Sequence, residues 1–544
     1  MVLTVNGTEK YFKDSLSLEQ IAKEFNIKEA IAASVGGRIR ELTYLINDDA
    51  NIEFLGLDIH EGMRIYEATL RYVFAMALFN LNPKLKLRFS YSVSRAILVT
   101  IDNAPFTNEL YNQLIDEVNN IVKLALPIRR LSVSKEEATK IYQKYGYLDK
   151  IDTLKHRVED NVNLYQTGNY VNYMFSYMLP NTSYLKLFDT KLYHPGFLIF
   201  FPRAELGGNL PEFTDQKSFG QTLKEAYKWG KIIGGDTIAN INKHALTRDL
   251  QVDFVNLCET KHNNQLSELG NIIADNIDDI KLIAVAGPSS SGKTTFTNRL
   301  RIELLAKGIK PKMISMDDYY KTKEEAPKDL DGKPDLEHVD ALDVSRFNKD
   351  MAALISGETV RLPRFDFKLG KRVLGDEIKL EEDSPILIEG IHALNERLTD
   401  LIPSHHKFKI FIAPQTQIHI DDHNPISLTD LRLIRRMVRD QKYRNTSITE
   451  TMDMWPSVRR GEFLWIYPHQ ESANYVYNSE LTYELLVLKK YALPNLLKIP
   501  RDDRHFVVAN RLVKFLKYFK DIDDNLVPSN SLLLEFIGGS PFHD

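Results

Sequence analysis

The chain has 544 residues, 43% hydrophobic and 26% charged, with 70 basic against 74 acidic side chains and a formal net charge of -4. That length exceeds one ordinary core and predicts about three domains, and the near balance of charge excludes a general nucleic-acid coat while leaving room for a local basic patch. A single cysteine, Cys258, excludes an intrachain disulfide and a CxxC metal pair. The opening residues carry no basic stretch followed by an apolar one, and no run of about 20 apolar residues occurs anywhere, which predicts a cytoplasmic protein with no membrane partner.

In chain order, residues 1–66 predict a small mixed domain. Asn6-Gly7 is a hairpin turn signal between Leu3–Val5 and Glu9–Phe12. A short helix follows over Leu18–Phe25, with Ser17 and Gln20 spaced as a capping box. Val35-Gly36-Gly37 and a strand-like Ile39–Ile46 come next, and the segment closes at Gly62–Tyr66. On this order the segment resembles the TGS domain, the ubiquitin-like β-grasp module at the front of threonyl-tRNA synthetases and some GTPases. Residues 67–250 predict an α+β domain, with helices over Thr69–Leu81, Glu109–Lys123 and Lys155–Gly168 and apolar stretches at Tyr170–Leu179 and Phe197–Pro202. By placement this region resembles the second additional domain of threonyl-tRNA synthetases. That domain opens on an Arg-His-x-x-x-His helix whose histidines serve editing. Here Arg71 is followed by Tyr72 and Met76 at the histidine positions, and a Cys-x-x-x-His spacing recurs only at Cys258–His262. Tyr72 and Met76 read as packing residues, because neither is a zinc ligand or general base. Residues 251–280 are a bridging stretch with a helix over Gln265–Asn276.

Lys281–Ala286 is an apolar run suited to a buried parallel strand, and Gly287-Pro288-Ser289-Ser290-Ser291-Gly292-Lys293-Thr294 follows at once. An amphipathic helix over Thr295–Lys307 completes the strand–loop–helix context of a phosphate loop. Glycines let successive backbone N–H groups turn inward, so the nine residues Gly287 to Thr295 are expected to cradle ATP. Lys293 is expected to reach the β and γ oxygens, and the Thr294 hydroxyl to ligate Mg²⁺. The next strand, Lys312–Ser315, ends in Met316-Asp317-Asp318. A carboxylate there can orient an acceptor hydroxyl and take its proton; Asp317 is the first candidate and Asp318 the competitor. Ser384–Gly390 is a third strand, and its Glu389 is expected opposite the loop, holding Mg²⁺ directly or through water. In Leu431–Gln441, Arg432, Arg435, Arg436 and Arg439 share one helix face. Close guanidinium groups repel unless an anion lies between them, so they read as a mobile lid over the triphosphate, stabilising transferred charge. Trp465, Tyr467, His469, Tyr475 and Tyr477 form a dense aromatic stretch that is either core packing or a base-pocket wall.

These elements resemble the uridine kinase and phosphoribulokinase family of P-loop kinases over about 281–515. The phosphate loop matches that family's Gly-x-Ser-x-Ser-Gly-Lys-Thr, and Ser315–Tyr320 resembles the element that carries its catalytic aspartate, which lands on Asp317. Leu336–Asp343 resembles its Phe-Asp-His-Pro-Asp-Ala-Phe-Asp stretch, with Asp340 at the internal acid. Pro363-Arg364-Phe365-Asp366-Phe367 resembles its nucleoside-facing Pro-x-Tyr-Asp-Phe, and Arg432–Asp440 its lid. The resemblance implies an acceptor site built from Asp317, Tyr320, Asp340, Phe365, Asp366 and Phe367. Two departures bear on it: Lys368–Lys371 replace a histidine-bearing stretch, and Glu337 and Val339 replace an acid and a proline.

The expected architecture is multidomain α/β: an amino-terminal β-grasp domain (1–66), an α+β middle domain (67–250), a bridging helix (251–280), a P-loop kinase domain with a parallel sheet and helices on both faces (281–515), and an extension (516–544). The expected function is an ATP- and Mg²⁺-dependent nucleoside kinase acting on the 5′-hydroxyl of uridine or a relative. A kinase of another small alcohol or sugar phosphate uses the same loop, with Arg361, Arg364, Lys368 and Lys371 as its candidate basic site. A third reading is an RNA-associated, nucleotide-dependent sensor with RNA contact through the front domains. An oligomer is compatible with all three.

Overall fold

The computed structural model describes residues 1–329, 332–366 and 371–542. Asn6 and Gly7 both take positive φ, 49° and 76°, the backbone that a tight hairpin between strands of ordinary twist requires. They join Val2–Val5 to Thr8–Tyr11. Ser17 caps Leu18–Glu24 in a reciprocal box with Gln20, and Leu18, Ile21 and Ala22 are the helix's buried face. The five-stranded sheet runs Thr8–Tyr11, Val2–Val5, Ala50–Leu55, Ala32–Val35, Arg38–Glu41, with Val2–Val5 and Ala50–Leu55 parallel at its centre. A central parallel pair crossed by one helix is the β-grasp arrangement.

Helix His60–Leu81 runs through residue 66 without a break and is buried along nearly all of Gly62–Leu78. A helix buried on nearly every side belongs inside a core, and this one, its few polar side chains paired, is the axis of the middle domain. Around it lie a four-stranded antiparallel sheet of Asp189–Tyr193, Gly196–Phe200, Ile97–Ile101 and Leu87–Tyr91, helix Asn108–Lys123, and a three-stranded sheet of Arg129–Ser134, Asn161–Thr167 and Tyr170–Asn172. The helix expected over 155–168 is not formed. The preceding helix stops at Leu154, and 161–167 is a strand. Val162 and Leu164 bury into one core and Tyr165, on the opposite face, into another, while the strand pairs antiparallel with Arg129–Ser134; a period of two and β-branched residues outweigh the weak helical spacing.

The carboxy-terminal domain is built on a five-stranded, all-parallel sheet in the order Lys312–Ser315, Ile386–Glu389, Leu282–Ala286, Lys407–Ala413, Tyr475–Asn478. Its central strand, Leu282–Ala286, is buried throughout. Ile283 and Val285 join one core with Phe296, Leu300, Leu266 and Leu269, whereas Leu282, Ala284 and Ala286 join another with Phe347 and Met351. Side chains alternate across a strand, so helices cover both faces. The first of these cores also takes in Phe254 and Ile273 of helix Arg248–Ala274, and Leu532 to Ile537 near the chain's end.

A hairpin, His419–Asp421 paired with Asn424–Pro425, is a deep point of contact between the two halves. It enters the middle domain, where Lys150 Nζ lies 2.5 Å from Asp421, both side chains 1% exposed. Thr153 donates to the Ile420 carbonyl (2.8 Å), Arg88 bonds His419 Nδ1 (2.9 Å), and Asn172 bonds His423 Nδ1 (2.9 Å). Arg71 donates to the His423 carbonyl. Tyr72 lies fully buried nearby, its hydroxyl donating to the carbonyls of Tyr165 and Tyr170. Met76 is buried in the same core.

Candidate functional site

The site lies at the carboxyl ends of the three strands on one side of the parallel sheet, where ligands bind in folds of this kind. Leu282–Ala286 runs into the phosphate loop, Lys312–Ser315 into Asp317, and Ile386–Glu389 ends on Glu389, which pairs in register between Val285 and Ser315. At Gly287 an added Cβ would come within 2.0 Å of the Ile412 carbonyl oxygen, so the loop can leave its strand only through glycine. Ser290 and Gly292 take φ of 61° and 90°, which turns the loop inward before helix Lys293–Ala306 begins. Ser290 Oγ and Ser291 Oγ are buried with no hydrogen-bond partner among the described residues. Orphaned hydroxyls beside a helix amino terminus suit phosphate oxygens. Lys293 Nζ folds back to the Pro288 carbonyl at 3.2 Å. Burial holds this ammonium below its ordinary pKa, against the pull of Glu389, Glu535 and Asp317.

The two neighbouring aspartates are sorted by geometry. Asp318 Oδ1 accepts the Phe365 N–H at 3.0 Å and so tethers strand Val360–Asp366. Asp317 faces the open cleft, among Lys293, Arg444 and Arg439. Enclosure in the cleft and the nearby Asp318 raise its pKa, while the three cations oppose the rise. Glu389 is pushed up to about 7 by burial and by Asp317, with Glu535 adding and Lys293 opposing. Thr294 is half-buried one residue along from Lys293, and its hydroxyl and the Glu389 carboxylate are hard oxygen donors of the kind Mg²⁺ takes.

The arginine helix, Leu428–Tyr443, is not a lid. It is buried from Asp430 to Val438, and the close guanidinium groups that called for a bound anion are answered by buried acids from elsewhere in the chain. Arg435 is fully buried and holds Glu484 through two bonds of 2.5 and 2.8 Å. Arg432 holds Glu462, and burial alone would raise that carboxyl, but Arg432 and Arg459 keep it below its ordinary range. The same guanidinium groups brace the loop from behind. Arg432 donates to the Ser289 carbonyl (3.0 and 3.2 Å), Arg435 reaches the Ser290 carbonyl (3.4 Å), and Arg436 donates to Ser289 Oγ (2.8 Å). Arg436 and Arg439 are held by Asp440, at 3.2 and 3.0 Å. Arg439 is the half-buried member of the four, and its charge reaches Lys293 and Asp317.

On the acceptor side, Tyr320 donates to the Leu336 carbonyl (3.2 Å), with its ring 6.3 Å from Phe365. Asp340 is paired with Arg397 at 2.5 Å. Asp366 closes its strand opposite Lys371, and Phe367 lies outside the described residues, as do Lys368 to Gly370. The aromatic stretch divides. Tyr477 is core, Tyr467 bonds Arg432 and Arg459, and Trp465 packs on His338 with ring centres 4.2 Å apart. Trp465 Nε1 and Glu337 Oε2 are both buried without a hydrogen-bond partner among the described residues. Burial and the nearby Glu462 push Glu337 up to about 7, while Arg436 and Lys293 pull the other way.

Glu337 and Glu535 are the acids that sequence reasoning missed as site residues. Glu337 entered it only as a departure from a pattern. Glu535 stands 240 residues from the loop, yet its Oε2 accepts the Thr295 N–H at 3.0 Å, and Leu532 packs on Gly292, where an added Cβ would meet it at 2.4 Å. Cys258 and His262 face the carboxy-terminal core: burial raises the thiol's pKa, and His262 Nε2 bonds the Glu480 carbonyl at 3.0 Å.

Residues 282–482 match the family model described as the Phosphoribulokinase / Uridine kinase family. The amino-terminal region is similar to threonine–tRNA ligases. That of Clostridium kluyveri is 28% identical over 186 residues, which are 33% of this chain and 29% of the ligase, and that of Thermoplasma volcanium is 31% identical over 163 residues, 30% and 24%. The chain thus spans under a third of the length of these curated relatives. A solved structure of a possible uridine kinase from Bacillus stearothermophilus is 18% identical, covers 39% of this chain and 100% of its own, and has a TM-score of 0.26.

Proposed function

We propose that the chain is an ATP- and Mg²⁺-dependent kinase whose acceptor is the 5′-hydroxyl of uridine or a related nucleoside. The observation that carries this reading is the convergence of Lys293, Asp317 and Glu389 at the ends of three adjacent parallel strands, beside a loop that carries two hydroxyls without a hydrogen-bond partner among the described residues. The family match over 282–482 supports phosphoryl transfer. Mg²⁺, held by Thr294 and Glu389, would neutralise phosphate charge when bound. Asp317 orients the acceptor hydroxyl and takes its proton, which its raised pKa favours. Lys293 stabilises charge on the transferred oxygens, and Arg439 adds to it from the helix. Arg432 and Arg435 act through the loop: by fixing its carbonyls they keep its amides turned inward. Trp465 Nε1 and Glu337 Oε2, an unpaired donor and acceptor beside the His338 and Trp465 rings, suit the edge and face of a nucleobase.

A sugar-phosphate acceptor has less support. Of its candidate basic residues, Arg361 is paired with Glu377 at 2.7 Å and Lys371 is held in a strand pair. The likeness of the front domains to threonine–tRNA ligases supports an accessory RNA contact, to be sought as salt-dependent binding. A cytoplasmic location suits these substrates. Steady-state kinetics across nucleosides, sugar phosphates and simple alcohols test the main reading. Turnover is expected on a pyrimidine nucleoside; activity confined to sugar phosphates would overturn it.

A further inference from the structure

A second cavity, about 560 Å³, opens where the β-grasp domain, the middle domain and helix Phe506–Leu516 meet. No phosphate-loop residue lines it. Arg38 and Arg40 enter from the β-grasp, Arg130 and Arg157 from the middle domain, and Arg511 and Lys514 from the helix, whereas the acids on its walls are Glu61 and Glu159. In a chain of net charge -4, that is a local reversal of sign.

Much of this charge has no counter-ion. Among the described residues, no ion pair is made by Arg38, Arg40 or Lys514, and Arg130 comes no nearer an acid than 3.8 Å from Glu41. Arg40 Nε and Arg511 Nε are buried with no hydrogen-bond partner among the described residues. Lys514 is exposed within the cavity, and its pKa is held down by enclosure and by Arg130, Arg157 and Arg38, against Glu159. Like charges drawn together by three separate domains call for an anion between them. The remaining wall is aromatic and amide-bearing: Tyr165, Tyr173, Tyr177 and Phe506, with Asn161 and Asn163. The guanidinium groups of Arg130 and Arg157 already lie over the Tyr177 and Tyr173 rings, at 5.5 and 6.0 Å.

We propose that this cavity binds a nucleotide, a flat base carrying at least one phosphate, as a second ligand apart from the phosphate loop. Cations supply the phosphate contact, aromatic rings the stacking face, and asparagines the polar edge contacts. The volume is that of a small-molecule pocket, of order 300–1,000 Å³, and three-sided enclosure suits a free nucleotide better than a polynucleotide, which needs a continuous groove. Occupancy is transmitted to the phosphate loop. Arg64 and Arg511 on the cavity wall both grip Asp430, in the first turn of the helix whose Arg432 and Arg435 hold the loop carbonyls. A ligand that draws on these arginines shifts that helix's anchor, and linkage makes the effect reciprocal.

The test is calorimetric titration of the full chain with AMP, UMP, adenosine, uridine and inorganic phosphate, repeated on Arg130→Glu/Lys514→Glu. Both altered side chains are exposed, so the fold should survive with a single melting transition; Lys514→Gln alone, which leaves the Arg130–Glu41 contact in place, serves as a milder check. At least one of AMP and UMP is expected to bind. Its nucleoside and inorganic phosphate should each bind about tenfold more weakly or worse, and the double variant should lose about tenfold or more in nucleotide affinity. Failure of both nucleotides to bind at millimolar concentration overturns the proposal, as does a binding stoichiometry, counted beyond the one equivalent that the phosphate-loop site takes as product, that the double variant leaves unchanged. Occupancy by a single-stranded oligoribonucleotide that neither nucleotide displaces overturns it as well, assigning the cavity to RNA.

Discussion

Asp317 and Asp318 adjoin in sequence yet differ in surroundings, because Asp318 is bound to the Phe365 amide while Asp317 faces Lys293. Asp317→Asn is therefore expected to keep ATP affinity and lose about 10²–10⁴-fold in turnover; single-turnover measurement with saturating ATP separates the two. Glu389 gives a pH signature. Raised to about 7, it is protonated below that value, and a neutral carboxyl is a poor Mg²⁺ ligand. Apparent Mg²⁺ affinity should rise as pH climbs from about 6 to about 8, and Glu389→Gln should flatten that rise; titration of the divalent cation at fixed nucleotide checks it. The loop and the two strand ends were legible in the sequence because short apolar runs and glycines fix them locally. Glu337 and Glu535 were not, since their position depends on parts of the chain that approach only after folding.

At the level of elements, the arginine helix shows where one-dimensional reading stops. Its periodicity was legible, but the acids that neutralise it, Glu462 and Glu484, lie 30 and 49 residues away from Arg432 and Arg435, so a buried brace looked like a mobile lid over the triphosphate. Arg435→Met would leave Glu484 buried and unpaired, at a cost of about 3–5 kcal/mol, to be read from the urea midpoint; restoration by Glu484→Met as well would identify the pair as the cause. The strand Asn161–Thr167 was misread for a related reason, its partner strand ending 27 residues earlier, at Ser134. The end segment was expected as an extension able to dock on the kinase domain, with no site residue named in it. Glu535 places a carboxylate on an amide at the start of the phosphate-loop helix, where a phosphate oxygen and that carboxylate compete for the same donor. Glu535→Gln is expected to tighten ATP binding by about tenfold, near 1.4 kcal/mol; looser binding in that variant would instead make Glu535 part of the nucleotide's support.

Across the whole molecule, the front and back halves share buried charges. Asp421 and His423 of the hairpin meet Lys150 and Asn172, and Arg88 meets His419. A fragment beginning at residue 281 would carry that hairpin with its counter-charges removed, and the intact chain should melt in one calorimetric transition across both halves, whereas the fragment should express poorly or aggregate. Two resolved transitions in the intact chain would contradict this. The same hairpin sets a schedule for synthesis. Asp421 leaves the ribosome 271 residues after Lys150, an interval of about 15–55 s at typical elongation rates. Throughout it the middle domain holds a cationic cleft whose filling has not yet been made, so the newborn front half must wait, partly open, for the back half to close it.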